Sequence, residues 1–208
     1  MKVLIADDHA IVRKGLIQLL REGYPDVSVT EAMNSSETID FLHKNTFDVI
    51  LLDISMPGRN GMETLKQLRS ERIKTPVLML SMHPENQYAV RCLKAGASGF
   101  INKESATEEL LVAVERVLTG KKYITPSLAE KLAESMMDAQ AKPLHETLSD
   151  REMEVLQQIA AGKTVSEIAD SISLSVNTIS TYRGRILEKL QLNNNAEITR
   201  YALENGLV

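Results

Sequence analysis

A chain of 208 residues with 43% apolar and 25% charged side chains is long enough for two small cores and is neither disordered nor fibrous. No stretch approaches the roughly 20 apolar residues of a membrane span. The chain starts directly in a strand, without a secretory leader, and its single cysteine, Cys92, excludes an internal disulfide framework, so a reducing cytoplasm is expected. The net charge of −4 argues against a general polyanion binder; residues 146–208 carry six basic and nine acidic groups, leaving one local positive patch at Arg183, Arg185 and Lys189.

Up to about residue 120, apolar strands alternate with amphipathic helices five times. The strands are expected at 2–6, 27–31, 48–52, 76–80 and 98–101, and the helices near 9–22, 35–44, 61–70, 86–95 and 107–119. Asn34-Ser35-Ser36-Glu37 has the arrangement of a capping box, and Gly96, Gly99 and Gly120 mark helix ends or turns. Strands and helices at this spacing imply right-handed βαβ crossovers, hence an α/β fold with a doubly wound parallel sheet. Cys92 falls on the apolar face of the run Tyr88 to Leu93 and reads as a small core residue.

Residues 121–146 read as a partly helical linker. Pro126 can start an amphipathic helix through Leu128, Leu132 and Met136, and Pro143 closes the segment; the pattern does not decide which domain receives the stripe. From 147 onward everything reads as helix. Ser149-Asp150-Arg151-Glu152 and Thr164-Val165-Ser166-Glu167 are capping boxes, Ser175 caps a helix over 176–190, and a last helix runs over 195–204, ending at Gly206.

The chemistry concentrates at strand ends. Asp53 closes the apolar run Val49-Ile50-Leu51-Leu52, and Asp7 and Asp8 close Lys2-Val3-Leu4-Ile5-Ala6. The C-terminal ends of parallel strands are where α/β proteins place ligands, and three acids converging there repel one another unless a cation sits among them. That is the donor set of a hard divalent ion such as Mg²⁺, which takes one or two carboxylates, a carbonyl and a phosphoryl oxygen. Lys103, closing the fifth strand, and Ser81, closing the fourth, are placed to hold a transferred phosphoryl group. Alone, Asp8 could serve as a helix N-cap, and a strand-end Ser or Lys is ordinary loop chemistry. Together the five polar groups point to a metal site with a nucleophilic aspartate.

With Ala6-Asp7-Asp8-His9, Leu52 to Gly61, Leu80-Ser81 and Ala95 to Lys103, residues 1–120 resemble the receiver domain of two-component response regulators. The resemblance implies strand order 2-1-3-4-5 and phosphorylation of Asp53 by a sensor histidine kinase. It assigns Mg²⁺ to Asp7, Asp8, Asp53 and the Ser55 carbonyl, phosphoryl binding to Ser81 and Lys103, and an aromatic switch to Phe100. Two positions depart from the common pattern: Glu104 follows the lysine where many receivers have proline, and Phe100 replaces the commoner tyrosine. A plain core aromatic is the competing reading of Phe100.

In the helical end, Val176, Ile179, Ile186 and Leu190 share one face of the 176–190 helix, with Tyr182 at its margin. The far side carries Asn177, Thr181, Gly184 and Glu188, flanked by Ser180 and Arg185, a face suited to a major groove. An ordinary solvated face is the alternative. Leu148 to Leu156, Gly162 to Ala169, Ser175 to Tyr182 and Lys189-Leu190 resemble the LuxR-type helix-turn-helix domain, and the whole chain resembles the NarL/FixJ response regulators. Ser180 and Tyr182 stand where many members have Lys and His, as in the GacA/UvrY and BvgA branch.

The resemblance implies a receiver over 1–120, a linker over 121–146 and a smaller all-α DNA-binding domain over 147–208. Its expected DNA contacts are Asn177, Thr178, Ser180, Thr181, Tyr182, Arg183, Gly184, Arg185 and Lys189. Promoter DNA and a second copy of the chain are the implied partners, the last helix commonly forming the DNA-bound dimer contact, and RNA polymerase stands as a further candidate. The function implied is transcriptional regulation rather than enzymatic turnover. A haloacid-dehalogenase-like phosphatase would usually need an acid two residues after the nucleophile, where Ser55 stands. A receiver unresponsive to phosphate usually lacks a pocket residue, and none is missing. No GxxxxGK[ST] loop occurs, and the histidines His9, His43, His83 and His145 show no metal-ligand spacing and receive no role.

Overall fold

The computed structural model describes residues 1–82, 85–137 and 143–208, apart from the side chains of 85–87, 131 and 134–137; His83 and the side chain of Met136 lie outside the described residues. Two compact units are present, Met1–Leu132 and Ala133–Val208.

In the first unit the strands are β1 (Lys2–Ala6), β2 (Ser28–Ala32), β3 (Val49–Asp53), β4 (Val77–Ser81) and β5 (Gly99–Asn102). All neighbouring pairs are parallel and the order is β2-β1-β3-β4-β5. The helices between and after them are α1 (Ala10–Gly23), α2 (Ser35–Lys44), α3 (Gly61–Ser70), α4 (Glu85–Lys94) and α5 (Ala106–Leu118). Period-2 alternation divides each strand between two cores. Leu4, Ile50, Leu52, Val77, Met79 and Phe100 pack with α3 and α4 on one face, while Val3, Ile5, Leu51, Leu78, Leu80 and Ile101 pack with α1 and α5 on the other. Each fully buried Leu or Ile contributes roughly 1.5–3 kcal/mol.

Of the stripe that the sequence leaves unassigned, Leu128 and Leu132, from α6 (Pro126–Met137), pack into the α3–α4 core of the first unit. Just ahead of it, Tyr123 bridges to Gly99 at the edge of β5. The expected capping box at Asn34 is only half formed. Asn34 accepts from the Glu37 N–H at 2.9 Å, but Glu37 reaches back to the N–H of Met33, one residue earlier than a reciprocal box requires.

Beyond α6 the second unit holds a 3-10 turn (Leu144–Thr147), followed by α7 (Asp150–Ala160), α8 (Val165–Ser171), α9 (Val176–Leu190) and α10 (Asn195–Glu204). Reciprocal capping boxes start α7 at Ser149–Glu152 and α8 at Thr164–Glu167, while Ser175 caps α9 by accepting from the Thr178 N–H. Between α8 and α9 the chain turns through Ser173 at φ 54°, closed by the Leu174 N–H to the Ala169 carbonyl at 2.9 Å. Ile168, Ala169, Ile179, Ile186, Leu190, Ile198 and Ala202 form one core with Val155, Leu156 and Ile159. Val176 departs from expectation: it is 48% exposed rather than part of that core. It is the first residue of α9, one turn ahead of Ile179, where the helix has not yet reached its packing partners.

Candidate functional site: an acidic pocket and an exposed recognition helix

The strand register brings the acids together. Ala6 pairs with Leu52, so Asp7 leaves β1 beside Asp53 at the end of β3, and Asp53 itself pairs with Leu80, one residue before Ser81. The Lys103 N–H bonds to the Ser81 carbonyl at 2.8 Å, which fixes the lysine at the same edge. Its ammonium lies 2.7 Å from Asp7 Oδ2 and 3.0 Å from Asp53 Oδ2. Both aspartates are buried, and the Lys103 ammonium is the partner of these two oxygens. Donor atoms of Asp7, Asp8, His9 and Asp53 all fall within 4.8 Å of one another. A site whose clustered carboxylates outnumber the single ammonium among them fits a hard divalent cation.

Burial pushes the Asp53 carboxyl up to about 6 from its ordinary 3.8; the Lys103 ammonium opposes that, the neighbouring Asp7 charge adds to it, and the Ser55 N–H, bonded to the carboxylate, lowers it again. Ser55 is itself exposed on the loop, and Ser81 is fully buried. Phe100 is also buried, its ring in the α3–α4 core. Asp8 is not the cap of α1; that position is taken by His9, whose side chain makes no capping bond.

Two residues of this edge went unmarked in the sequence. Arg13, buried on α1, donates to the Asp7 carbonyl at 2.8 Å and pairs with Glu31 at 2.8 Å, holding the end of β1 against β2. His9 has no spaced ligand partner in the sequence, yet its Nδ1 stands 2.9 Å from Asp8 Oδ1 and 3.3 Å from Asp7 Oδ1. Adjacency to the paired acids was the signal available. His43 pairs with Glu71 at 2.8 Å, and His145 stacks edge-on against Tyr201.

On α9, Asn177, Ser180, Thr181, Gly184, Arg185, Glu188 and Lys189 are exposed, and Thr178, Tyr182 and Arg183 are half-buried. A Cβ at Gly184 would meet nothing within 4 Å, so the fold of this unit does not itself require glycine there. The three cations of the patch differ. Arg183 donates to Asn195 Oδ1 at 2.5 Å, tying α9 to the start of α10. Lys189 reaches Glu152 Oε2 at 2.6 Å and the Thr147 carbonyl at 3.2 Å. Burial pushes the Glu152 carboxyl up, but bonds from Lys189 and Ser149 outweigh that and hold it below its ordinary value. Arg185 makes no ion pair or hydrogen bond among the described residues. Arg185→Ala is therefore expected to weaken binding to DNA about tenfold and to reduce its salt dependence by about one counterion, measured by fluorescence anisotropy over a salt series. Equal binding would move the main phosphate contact elsewhere.

A five-stranded parallel sheet with an acid-lysine pocket at its C-terminal edge, followed by a helix-turn-helix unit, defines a phosphorylation-controlled DNA-binding regulator. Residues 3–115 match the response regulator receiver domain and residues 146–202 match the luxR family of bacterial regulatory proteins. The chain is 31% identical over 208 residues to response regulator UvrY of Escherichia coli K12, covering all of this chain and 95% of that one. It is 32% identical over 209 residues to response regulator GacA of Pseudomonas aeruginosa, covering 100% of this chain and 98% of the other. It also resembles the structure of RcsB from Salmonella enterica serovar Typhimurium bound to the promoter rprA in the presence of the phosphomimetic BeF3−, with a TM-score of 0.62 at 29% identity, covering 97% and 98% of the two chains. The chain belongs to the response regulators with a LuxR-type DNA-binding domain, and its function is that of a DNA-binding response regulator, a transcription factor under phosphorylation control. No described helix is long and apolar enough to cross a membrane.

Proposed function

We propose that Asp53 accepts a phosphoryl group from a sensor histidine kinase and that the phosphorylated chain regulates promoters as a homodimer. The observation that carries this reading is the convergence of Asp7, Asp8 and Asp53 within 4.8 Å under the buried Lys103 ammonium. In this reading Mg²⁺ is held by Asp7, Asp8, Asp53 and the Ser55 carbonyl. Once bound, it supplies the positive charge that lets a dianionic phosphodonor approach a carboxylate. Lys103 holds an equatorial phosphoryl oxygen and Ser81 hydrogen-bonds another. Phe100, adjoining Ile101 and Asn102 on β5, reports the shift of Ser81 by changing rotamer within its core. The receiver over 1–120 thus biases a DNA-binding domain over 147–208 through the 121–146 segment, in the cytoplasm and without turnover of a substrate. Asn177, Thr178, Ser180, Thr181, Tyr182 and Arg185 face the groove, with Gly184 allowing close approach and Arg183 and Lys189 bracing the helix or exchanging their present bonds for phosphates. RNA polymerase is a further partner in this scheme.

Acetyl phosphate with Mg²⁺ is expected to shift the wild-type chain in a phosphate-affinity gel and to leave Asp53→Asn unshifted; an equal shift in the variant removes Asp53 as acceptor. The same treatment is expected to raise the dimer fraction seen by light scattering in the wild type alone. An unchanged mass would reject dimerisation as the switch.

A further inference from the structure

We propose that Arg13 is a positioning residue of the acidic pocket: by holding the carbonyl of the peptide that joins Asp7 to Asp8, it sets the direction of both carboxylates toward a shared ion. This rests on the reading of the pocket as a divalent-cation site and adds to it the residue that orients two of its ligands.

Asp7 and Asp8 are neighbours in sequence, so the orientation of the rigid peptide between them decides where each side chain is carried. The peptide before Asp7 is fixed by the sheet, since the Asp7 N–H donates to the Ala32 carbonyl of β2 at 3.1 Å. The peptide after it has left the ladder. There the Asp7 carbonyl accepts from Arg13 Nη1 at 2.8 Å, in a bond buried from water. The guanidinium is aimed by its second bond, from Nε to Glu31 Oε2 at 2.8 Å, and Glu31 stands on β2 in register with Ile5 of β1. One planar fork thus ties α1 and β2 to the end of β1, a fixed two-acceptor geometry that a lysine ammonium does not reproduce. With the peptide held, Asp7 Oδ1 takes the His9 N–H at 2.8 Å and Oδ2 lies 2.7 Å from the Lys103 ammonium. Charge and position predict opposite signs for Arg13. By Coulomb attraction alone, removing a cation beside three acids tightens a divalent ion, whereas releasing the Asp7 carbonyl loosens it.

The test compares the full-length chain with Arg13→Met, which keeps an apolar stem in the buried position, Arg13→Lys and Glu31→Gln. Mg²⁺ affinity is measured by calorimetry, and urea unfolding in a chelator records the stability of each chain separately. Arg13→Met is expected to bind Mg²⁺ about tenfold more weakly, at the low end of what loss of a residue orienting a metal ligand costs. Glu31→Gln still accepts from the guanidinium without pairing its charge, and should stay within about twofold of wild type, the screened effect of one exposed charge. Arg13→Lys should fall between the two, because its ammonium still reaches one acceptor at a time. Wild-type or tighter affinity in Arg13→Met, or in Arg13→Lys where the methionine chain does not fold, overturns the positioning role while leaving the pocket intact. An equal loss in Glu31→Gln overturns it too, since the ion pair and not the carbonyl bond would then set the affinity. Failure of the wild type to bind Mg²⁺ overturns the cation pocket itself.

Discussion

Gly61→Ala is expected to destabilise the first unit by about 3 kcal/mol or more and to abolish phosphorylation, although residue 61 touches no ligand. Gly61 opens α3, behind the Asn60–Glu63 capping box, and its N–H bonds to the Ile54 carbonyl at 2.9 Å. A Cβ there would lie 2.0 Å from the Asp53 carbonyl oxygen, 2.8 Å from its carbon and 3.0 Å from Ile54 Cα. All three are backbone atoms, so no side chain can swing aside. Either the end of β3 or the start of α3 must move, and Asp53 moves with it away from Lys103 and Asp7. Gly15→Ala is the control. It sits exposed inside α1 with nothing within 4 Å of its Cβ, and should stabilise the unit by up to about 1 kcal/mol. Urea unfolding of both variants, with the phosphate-affinity gel, checks the pair. A Gly61→Ala protein as stable and as readily phosphorylated as wild type would mean that the close approach is not a constraint.

That contact illustrates which features the sequence could disclose. Hydrophobic periodicity located every strand, but four of the five begin and end one residue later than the apolar runs suggest: β3 ends at Asp53 and β4 at Ser81. The ladder continues through the polar residue because backbone pairing is indifferent to side-chain polarity. The functional residue is therefore the last rung of the sheet. Helices headed by side-chain caps were the best defined, with α9 at Val176–Leu190 and α10 at Asn195–Glu204 as read. Long-range pairings were not legible. Nothing local marks Arg13 as the partner of Glu31 and the Asp7 carbonyl, or Lys189 as the partner of Glu152 across the second unit. For the same reason Arg183, Arg185 and Lys189 looked equivalent in sequence, whereas the structure gives two of them partners inside their own unit.

In metal-free buffer at about pH 8, Asp53→Asn is expected to be more stable than wild type by about 1–3 kcal/mol, even though it removes the proposed phosphoryl acceptor. The sign follows from burial. Asp53 is raised from 3.8 to about 6 in the folded chain, so folding favours its protonated form. The stability tied to that proton is fully present below about pH 4 and is lost as pH rises through about 6. A shift of about two units corresponds to about 3 kcal/mol as an upper figure. Asn mimics the neutral acid in shape and carries no charge to bury, and Lys103 keeps Asp7 as its counter-ion. The difference between the two chains should narrow between about pH 7 and 5 and vanish near pH 4. Urea denaturation in a chelator across that range measures it, following the transition of the first unit. Saturating divalent cation should reverse the order at about pH 8, because an ion at 100 times its Kd adds about 2.7 kcal/mol to the chain that binds it, and Asp53→Asn binds it less. Equal stabilities at about pH 8 without metal would show that the Lys103 ammonium already offsets the cost of burying the Asp53 charge.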